Sequence, residues 1–145
     1  MKKFQREEIV LHSANKLFDI VIDIETYPKY IPWCTRMIVN RRNQNEIFAD
    51  MYVRYKFFLA QKFGSHIKFD KNQLTIETRY IEGPLKDLTT NWKFEKIENK
   101  KSKIIFDVNF EFKSFIHQKV AETFYPLIEN KMINSFKKRA DNLLD

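Results

Sequence analysis

Apolar residues recur along this chain at two spacings, and the change from one to the other divides it. Between residues 35 and 113 they alternate. Ile47, Ala49, Met51, Val53, Tyr55 and Phe57 fall on one side of an extended chain, with Asp50, Arg54 and Lys56 on the other. Ile104, Phe106, Val108, Phe110 and Phe112 oppose Asp107, Asn109, Glu111 and Lys113 in the same way. The alternation predicts strands near 35–42, 46–57, 65–70, 73–81, 88–98 and 103–113, with NRRNQN, DKN, EGPLKD and ENKKS as turns. Connections this short make consecutive strands antiparallel, and the sheet then has one dry and one wet face. A further strand is expected at 4–11.

Outside this region the spacing is helical. Ser13 caps a short helix whose apolar side is Ala14, Leu17, Phe18, Val21 and Ile22. Residues 27–34, YPKYIPWC, hold two prolines among aromatics, which predicts a brief helical turn and a loop packed by Tyr27, Tyr30, Ile31 and Trp33. From 114 to 145 the chain predicts one long helix capped by Ser114, bent near 122–126 by Pro126. Its expected apolar stripe is Val120, Phe124, Leu127, Ile128, Met132, Phe136, Ala140 and Leu143, with Lys119, Glu122, Glu129, Lys137 and Lys138 opposite. Phe124 and Phe136 are both expected to be buried where this helix crosses the dry face of the sheet.

At 145 residues the chain fits one domain, 1–145, large enough for a core without staples. A single cysteine, Cys34, rules out an internal disulfide, and no apolar run approaches the length of a membrane span. The expectation is a soluble protein of the cytoplasm, with a peripheral station at the inner membrane; the mitochondrial matrix is the alternative if a transit segment lies outside this sequence. A net charge of +7 favours anionic neighbours such as phospholipid head groups or RNA.

Motifs for chemistry are lacking. There is no GxGxxG, Walker loop, HExxH, CxxC pair or GxSxG elbow. His12, His66 and His117 lack the spacing of a shared metal site, so no metal is expected. Cys34 suits packing better than reactivity, and Asp23 and Glu25 suit orientation of the following loop better than acid–base work. The unusual feature is the supply of 14 Phe, 6 Tyr and 2 Trp, concentrated on the inner faces. Besides a bulky core, these suit an apolar cavity between sheet and helix. Phe58, Leu59 and Phe63, in a connection flanked by Lys56 and Lys62, suit a cavity mouth or a contact with an anionic membrane.

The segment SANKLFDIVIDIETYPKYIPWC, the Gly83-Pro84-Leu85 turn, Leu88, Trp92-Lys93-Phe94, VNFEFKSF and a terminal helix ending near SFKKRA together resemble the coenzyme Q-binding and polyketide cyclase branch of the START-like proteins. The resemblance spans nearly the whole chain. It implies an α+β helix-grip (START-like, SRPBCC) fold, a seven-stranded antiparallel sheet around a long C-terminal helix. It also implies binding of ubiquinone or a related isoprenoid lipid, without a catalytic cofactor, in support of respiratory electron transfer or quinone biosynthesis. The expected cavity residues are Tyr30, Trp33, Phe57, Trp92, Phe106, Phe110, Phe124, Leu127 and Ile128, burying the tail at about 25 cal/mol per Å². Similar bacterial proteins are described as ribosome association toxins acting on the large subunit. That alternative would use Arg36, Arg41, Arg42, Lys137, Lys138 and Arg139; DNA is not an expected partner. A weaker third reading is a polyketide cyclase or aromatase, for which the inner faces offer few ionisable groups.

Overall fold

The computed structural model describes residues 2–54, 61–83 and 85–144. The alternating segments form β2 (Cys34–Arg42), β3 (Glu46–Val53), β4 (Gln61–Asp70), β5 (Thr75–Glu82), β6 (Leu85–Glu98) and β7 (Lys101–Phe112), an antiparallel meander. β1 (Lys2–Val10) closes the far side by pairing antiparallel with β7, so the sheet order is β1-β7-β6-β5-β4-β3-β2. β4 begins earlier than its alternation suggested and includes Phe63, which packs edge-on against Tyr80 at 6.2 Å rather than projecting from a connection. The turn between β5 and β6 requires Gly83: its φ is +143°, and a Cβ there would lie 2.8 Å from the Lys62 carbonyl and from the Tyr80 hydroxyl. That hydroxyl accepts the Leu85 N–H at 2.9 Å and so fixes the start of β6.

Ser13 caps α1 (Ala14–Ile22), its Oγ accepting from the Lys16 N–H at 3.3 Å, and Ala14, Leu17, Phe18 and Val21 are buried. A 3₁₀ segment, Ile24–Lys29, carries Pro28 and delivers Ile31, Trp33 and Cys34 to the core. α2 (Phe115–Leu144) is one helix of 30 residues that runs through Pro126. Ser114 caps it, accepting the His117 N–H at 3.4 Å. No helix among the described residues is long and apolar enough to cross a membrane.

Phe136 is the hub between helix and sheet, 6% exposed, with its ring 5.3 Å from Trp92, 5.4 Å from Tyr27 and 5.6 Å from Tyr30. Phe18 of α1 meets Phe94 edge-on at 6.1 Å and so covers the neighbouring part of the concave face.

The inner line of α2 differs from the expected stripe in its first half. Glu129, Ile133, Phe136 and Ala140 are buried, whereas Phe124 is 51% and Leu127 47% exposed. Each step of four overshoots a full turn by about 40°, so a stripe built on repeated i+4 steps spirals around the helix. Traced back from Phe136 at the helical period, the inner line instead passes Glu129, Tyr125, Glu122 and Gln118. Phe124 and Leu127 therefore project outward, and two acids expected on the wet side face the sheet.

Candidate functional site

The concave face of the sheet is not uniformly closed. Toward the ends of β1 and β6 that meet α1, the inward residues Val10, Ile47, Ile67, Ile76, Phe94 and Ile104 are buried. Toward the opposite end, Met51, Phe63, Thr78, Tyr80, Leu88, Thr90 and Phe112 point inward by register yet are only half-buried. These half-buried residues mark the less tightly covered part of the concave face, the candidate groove.

Contacts with β1 fix the rotation of α2 over that part of the face. Asn130 accepts a hydrogen bond from Arg6, and Lys137 Nζ lies 3.4 Å from Glu8. Both helix residues sit about a quarter turn from the inner line, so the opposite flank, with Ala121, Ile128 and Met132, faces the side over β4–β6. These three pack, partly buried, against the core. The start of the helix is tied down by Gln118, whose Oε1 accepts the Phe112 N–H at 2.7 Å. Two turns on, Tyr125 stacks on Phe4 at 4.4 Å and lies 5.4 Å from Phe110.

The Tyr125 hydroxyl donates to Glu129 Oε1 at 3.1 Å, and Glu129 is only 8% exposed. Burial raises the Glu129 carboxyl above the usual carboxylate range, while the Tyr125 hydrogen bond and nearby Arg6 oppose that rise. Burial also raises the Tyr125 phenol. Arg6 itself is held by Glu8 at 2.6 Å, which pulls the Glu8 carboxyl below its ordinary value. The result is a carboxyl–phenol pair able to donate or accept hydrogen bonds at the edge of an apolar space. Sequence reasoning missed Gln118, Tyr125 and Glu129. Their steps of three and four were a visible signal, obscured because an inner face was taken to be wholly apolar.

Of the expected cavity residues, Trp92, Phe106 and Phe110 are buried on the concave face, Ile128 flanks the groove, and Tyr30 and Trp33 pack beside Phe136 and the core. Phe124 and Leu127 do not line the groove, because they lie on the outward side of α2. Phe63 is half-buried at the groove's open end, while Phe57, Phe58 and Leu59 lie outside the described residues. Cys34 is buried, and its thiol is pushed up to about 11 by that burial. The histidines are individually engaged: His12 with Asp141 at 2.7 Å, His66 with Glu46 at 2.6 Å, and His117 edge-on to Phe112 at 6.4 Å. No group of three or more potential metal ligands occurs among the described residues.

The basic residues proposed for RNA separate into two sets. On the convex face, the Arg36 guanidinium lies over Tyr52 at 5.5 Å and Arg41 over Phe48 at 4.3 Å, with Phe48 stacked on His66 at 4.2 Å. Arg42 turns away to pair with Glu25 at 2.8 Å. The α2 set is elsewhere: Lys137 reaches Glu8, Lys138 is exposed, and Arg139 covers the Tyr30 ring at 5.0 Å. The six do not share one face.

The sequence matches the family described as polyketide cyclase / dehydrase and lipid transport over residues 10–137. It is 30% identical over 147 residues to the ribosome association toxin RatA of Rickettsia prowazekii, covering 99% of each chain. It is 28% identical over 137 residues to the mitochondrial coenzyme Q-binding protein COQ10 of Drosophila melanogaster, covering 92% of this chain and 56% of that one. Among solved structures, an aromatase/cyclase from Streptomyces sp. R1128 matches with a TM-score of 0.92 at 11% identity, covering 99% of this chain and 96% of the other, a likeness of fold alone. An 18 kDa protein of Caulobacter crescentus matches with a TM-score of 0.78 at 27% identity, covering 99% and 98%. With its seven-stranded antiparallel sheet gripping a long C-terminal helix, the chain belongs to the polyketide cyclase / dehydrase and lipid transport family.

Proposed function

We propose that this protein is a non-enzymatic carrier that holds ubiquinone or a related isoprenoid lipid in the groove between α2 and the concave face of β4–β7. The observation that carries this reading is the row of half-buried Met51, Phe63, Tyr80, Leu88 and Phe112, apolar groups that α2 leaves incompletely covered. A ring-and-tail ligand would remove that surface from water at about 25 cal/mol per Å². The similarity to a coenzyme Q-binding protein supports the ligand class. Organic extraction of the purified protein followed by mass spectrometry tests it directly. Titration with a short-tailed quinone, read by quenching of Trp92 emission, gives an affinity. Thr90→Phe places a ring on the groove floor and is expected to weaken that affinity by about tenfold, or about 1.4 kcal/mol, with an unchanged melting temperature. Wild-type protein that yields no lipid and shows no quenching would remove the basis for a carrier.

A second reading, ribosome association, is supported by the relatives of that name and by the Arg36–Tyr52 and Arg41–Phe48–His66 stacks. Guanidinium–aromatic stacks at a surface suit contact with unpaired RNA bases and phosphates. Replacing Arg36 and Arg41 together with alanine is expected to weaken co-sedimentation with ribosomal subunits and flatten its salt dependence, while leaving quinone quenching as in wild type.

A further inference from the structure

The first half of α2 is amphipathic in the inverse sense for a helix lying on a core. Its inward line carries Gln118, Glu122, Tyr125 and Glu129, all hydrogen-bonded. Its outward line carries Ile116, 72% exposed, half-buried Val120, then Phe124 at 51% and Leu127 at 47%; Phe115, the first residue of the helix and 74% exposed, lies about a quarter turn around from Ile116. The outward residues from 116 to 127 make an apolar ridge of about 17 Å at 1.5 Å per residue. Among the described residues, the contacts that hold this half of the helix down come from the other side.

Charge around the ridge is one-sided. Lys113 precedes its start and Lys138 continues the outward line beyond Leu127, both exposed, while Lys119 lies over the Phe115 ring at 5.4 Å and pairs with Glu122 at 3.8 Å. The acids of this stretch, Glu122 and Glu129, are turned toward the sheet, and Glu122 is further engaged by Gln118 at 3.0 Å. The surface thus offers aliphatic and aromatic side chains within a positive rim. A second copy of the same face would bring like charges together. Unpaired RNA would answer the lysines but leave Ile116 and Leu127 without a partner. An anionic bilayer answers both, its head groups meeting the lysines and its acyl boundary taking the ridge.

We propose that the outward face of residues 116–127, with the exposed Phe115 at its end, seats the protein on an anionic lipid bilayer. Phe124 lies next to the flank that holds Ile128 and Met132, so this seating brings that edge of the helix close to the membrane surface. The proposal is separate from the identity of the ligand, because the ridge lies outside the groove.

Co-flotation of the full chain with vesicles tests it, using phosphatidylcholine alone and phosphatidylcholine mixed with phosphatidylglycerol. Wild-type protein is expected to float with the mixed vesicles, less so as salt rises, and weakly with the neutral ones. Phe115→Ser combined with Ile116→Ser removes the two most exposed groups and is expected to weaken binding about tenfold without shifting the melting temperature. Lys113→Gln combined with Lys138→Gln is expected to flatten the salt dependence. Quinone quenching should stay as in wild type in both variants. Absence of vesicle binding, equal binding to both compositions, or unchanged flotation of the Phe115/Ile116 variant would overturn the assignment. So would a dimer, or a ribosomal-subunit complex, lost in that variant when no vesicle binding is seen. Failure of the quinone titration alone would count against the ligand and leave the vesicle result standing.

Discussion

Glu129 shows how one side chain can give the whole protein a pH dependence. Its carboxyl titrates above the ordinary range chiefly because it is buried, with Tyr125 and Arg6 working in the opposite direction. In the unfolded chain the same group releases its proton at the ordinary carboxylate pH. Stability contributed by the protonated folded form is therefore complete below that pH and is lost as pH rises through the raised folded value. Glu129→Gln keeps an acceptor for the Tyr125 hydroxyl and removes the charge. The variant is expected to melt above wild type at neutral pH, with the two melting curves converging on acidification. A difference that stays constant between roughly pH 5 and 8 would show that Glu129 is not the source. Glu8 acts with the opposite sign: Arg6 lowers its titration, so its contribution fades as pH falls.

At the scale of elements, α2 separates what the sequence made legible from what it hid. The strands were readable because a period of two leaves only one choice of face, and Ile104, Phe106, Val108 and Phe110 took the inner one as expected. A helix offers a continuous range of directions. With apolar residues on both sides of α2, spacing alone could not say whether Phe124 or Tyr125 faces the sheet, and the answer came from β1, where Arg6 and Glu8 hold Asn130 and Lys137. The concave core was legible, since Trp92, Phe106 and Phe110 were expected on the inner face, but the half-buried stretch beside them and the carboxyl–phenol pair on α2 were not. Two alanine substitutions measure the distinction. Phe136→Ala removes a ring packed among Tyr27, Tyr30 and Trp92 and is expected to cost about 3–5 kcal/mol in urea unfolding. Phe124→Ala, on the outward side, is expected to cost under about 1 kcal/mol. Similar losses at both positions would restore the original stripe. Leu127→Lys, also outward, is expected to fold and to bind quinone as wild type does.

For the molecule as a whole, the half-buried concave stretch, the convex stacks and the outward ridge occupy different surfaces, so the proposed ligand, RNA contact and bilayer would not compete for the same side chains. The arrangement depends on the pairing of β1 with β7, in which Lys2 lies opposite Phe110 and Val10 opposite Ser102. That feature also governs how the chain must assemble. The meander can zip hairpin by hairpin, but the first strand has no partner until nearly all of the sheet has been made, and α2 cannot fasten to Arg6 and Glu8 before then. Closing so long a loop is a late and entropically costly step, which places refolding in the range of roughly milliseconds to seconds. Substitutions in the β1–β7 ladder, such as Phe4→Ala, should mainly accelerate unfolding, whereas those in the β6–β7 hairpin should slow folding. On the ribosome, β1 emerges first and waits longest, an unpaired strand edge in the nascent chain until the last hairpin arrives.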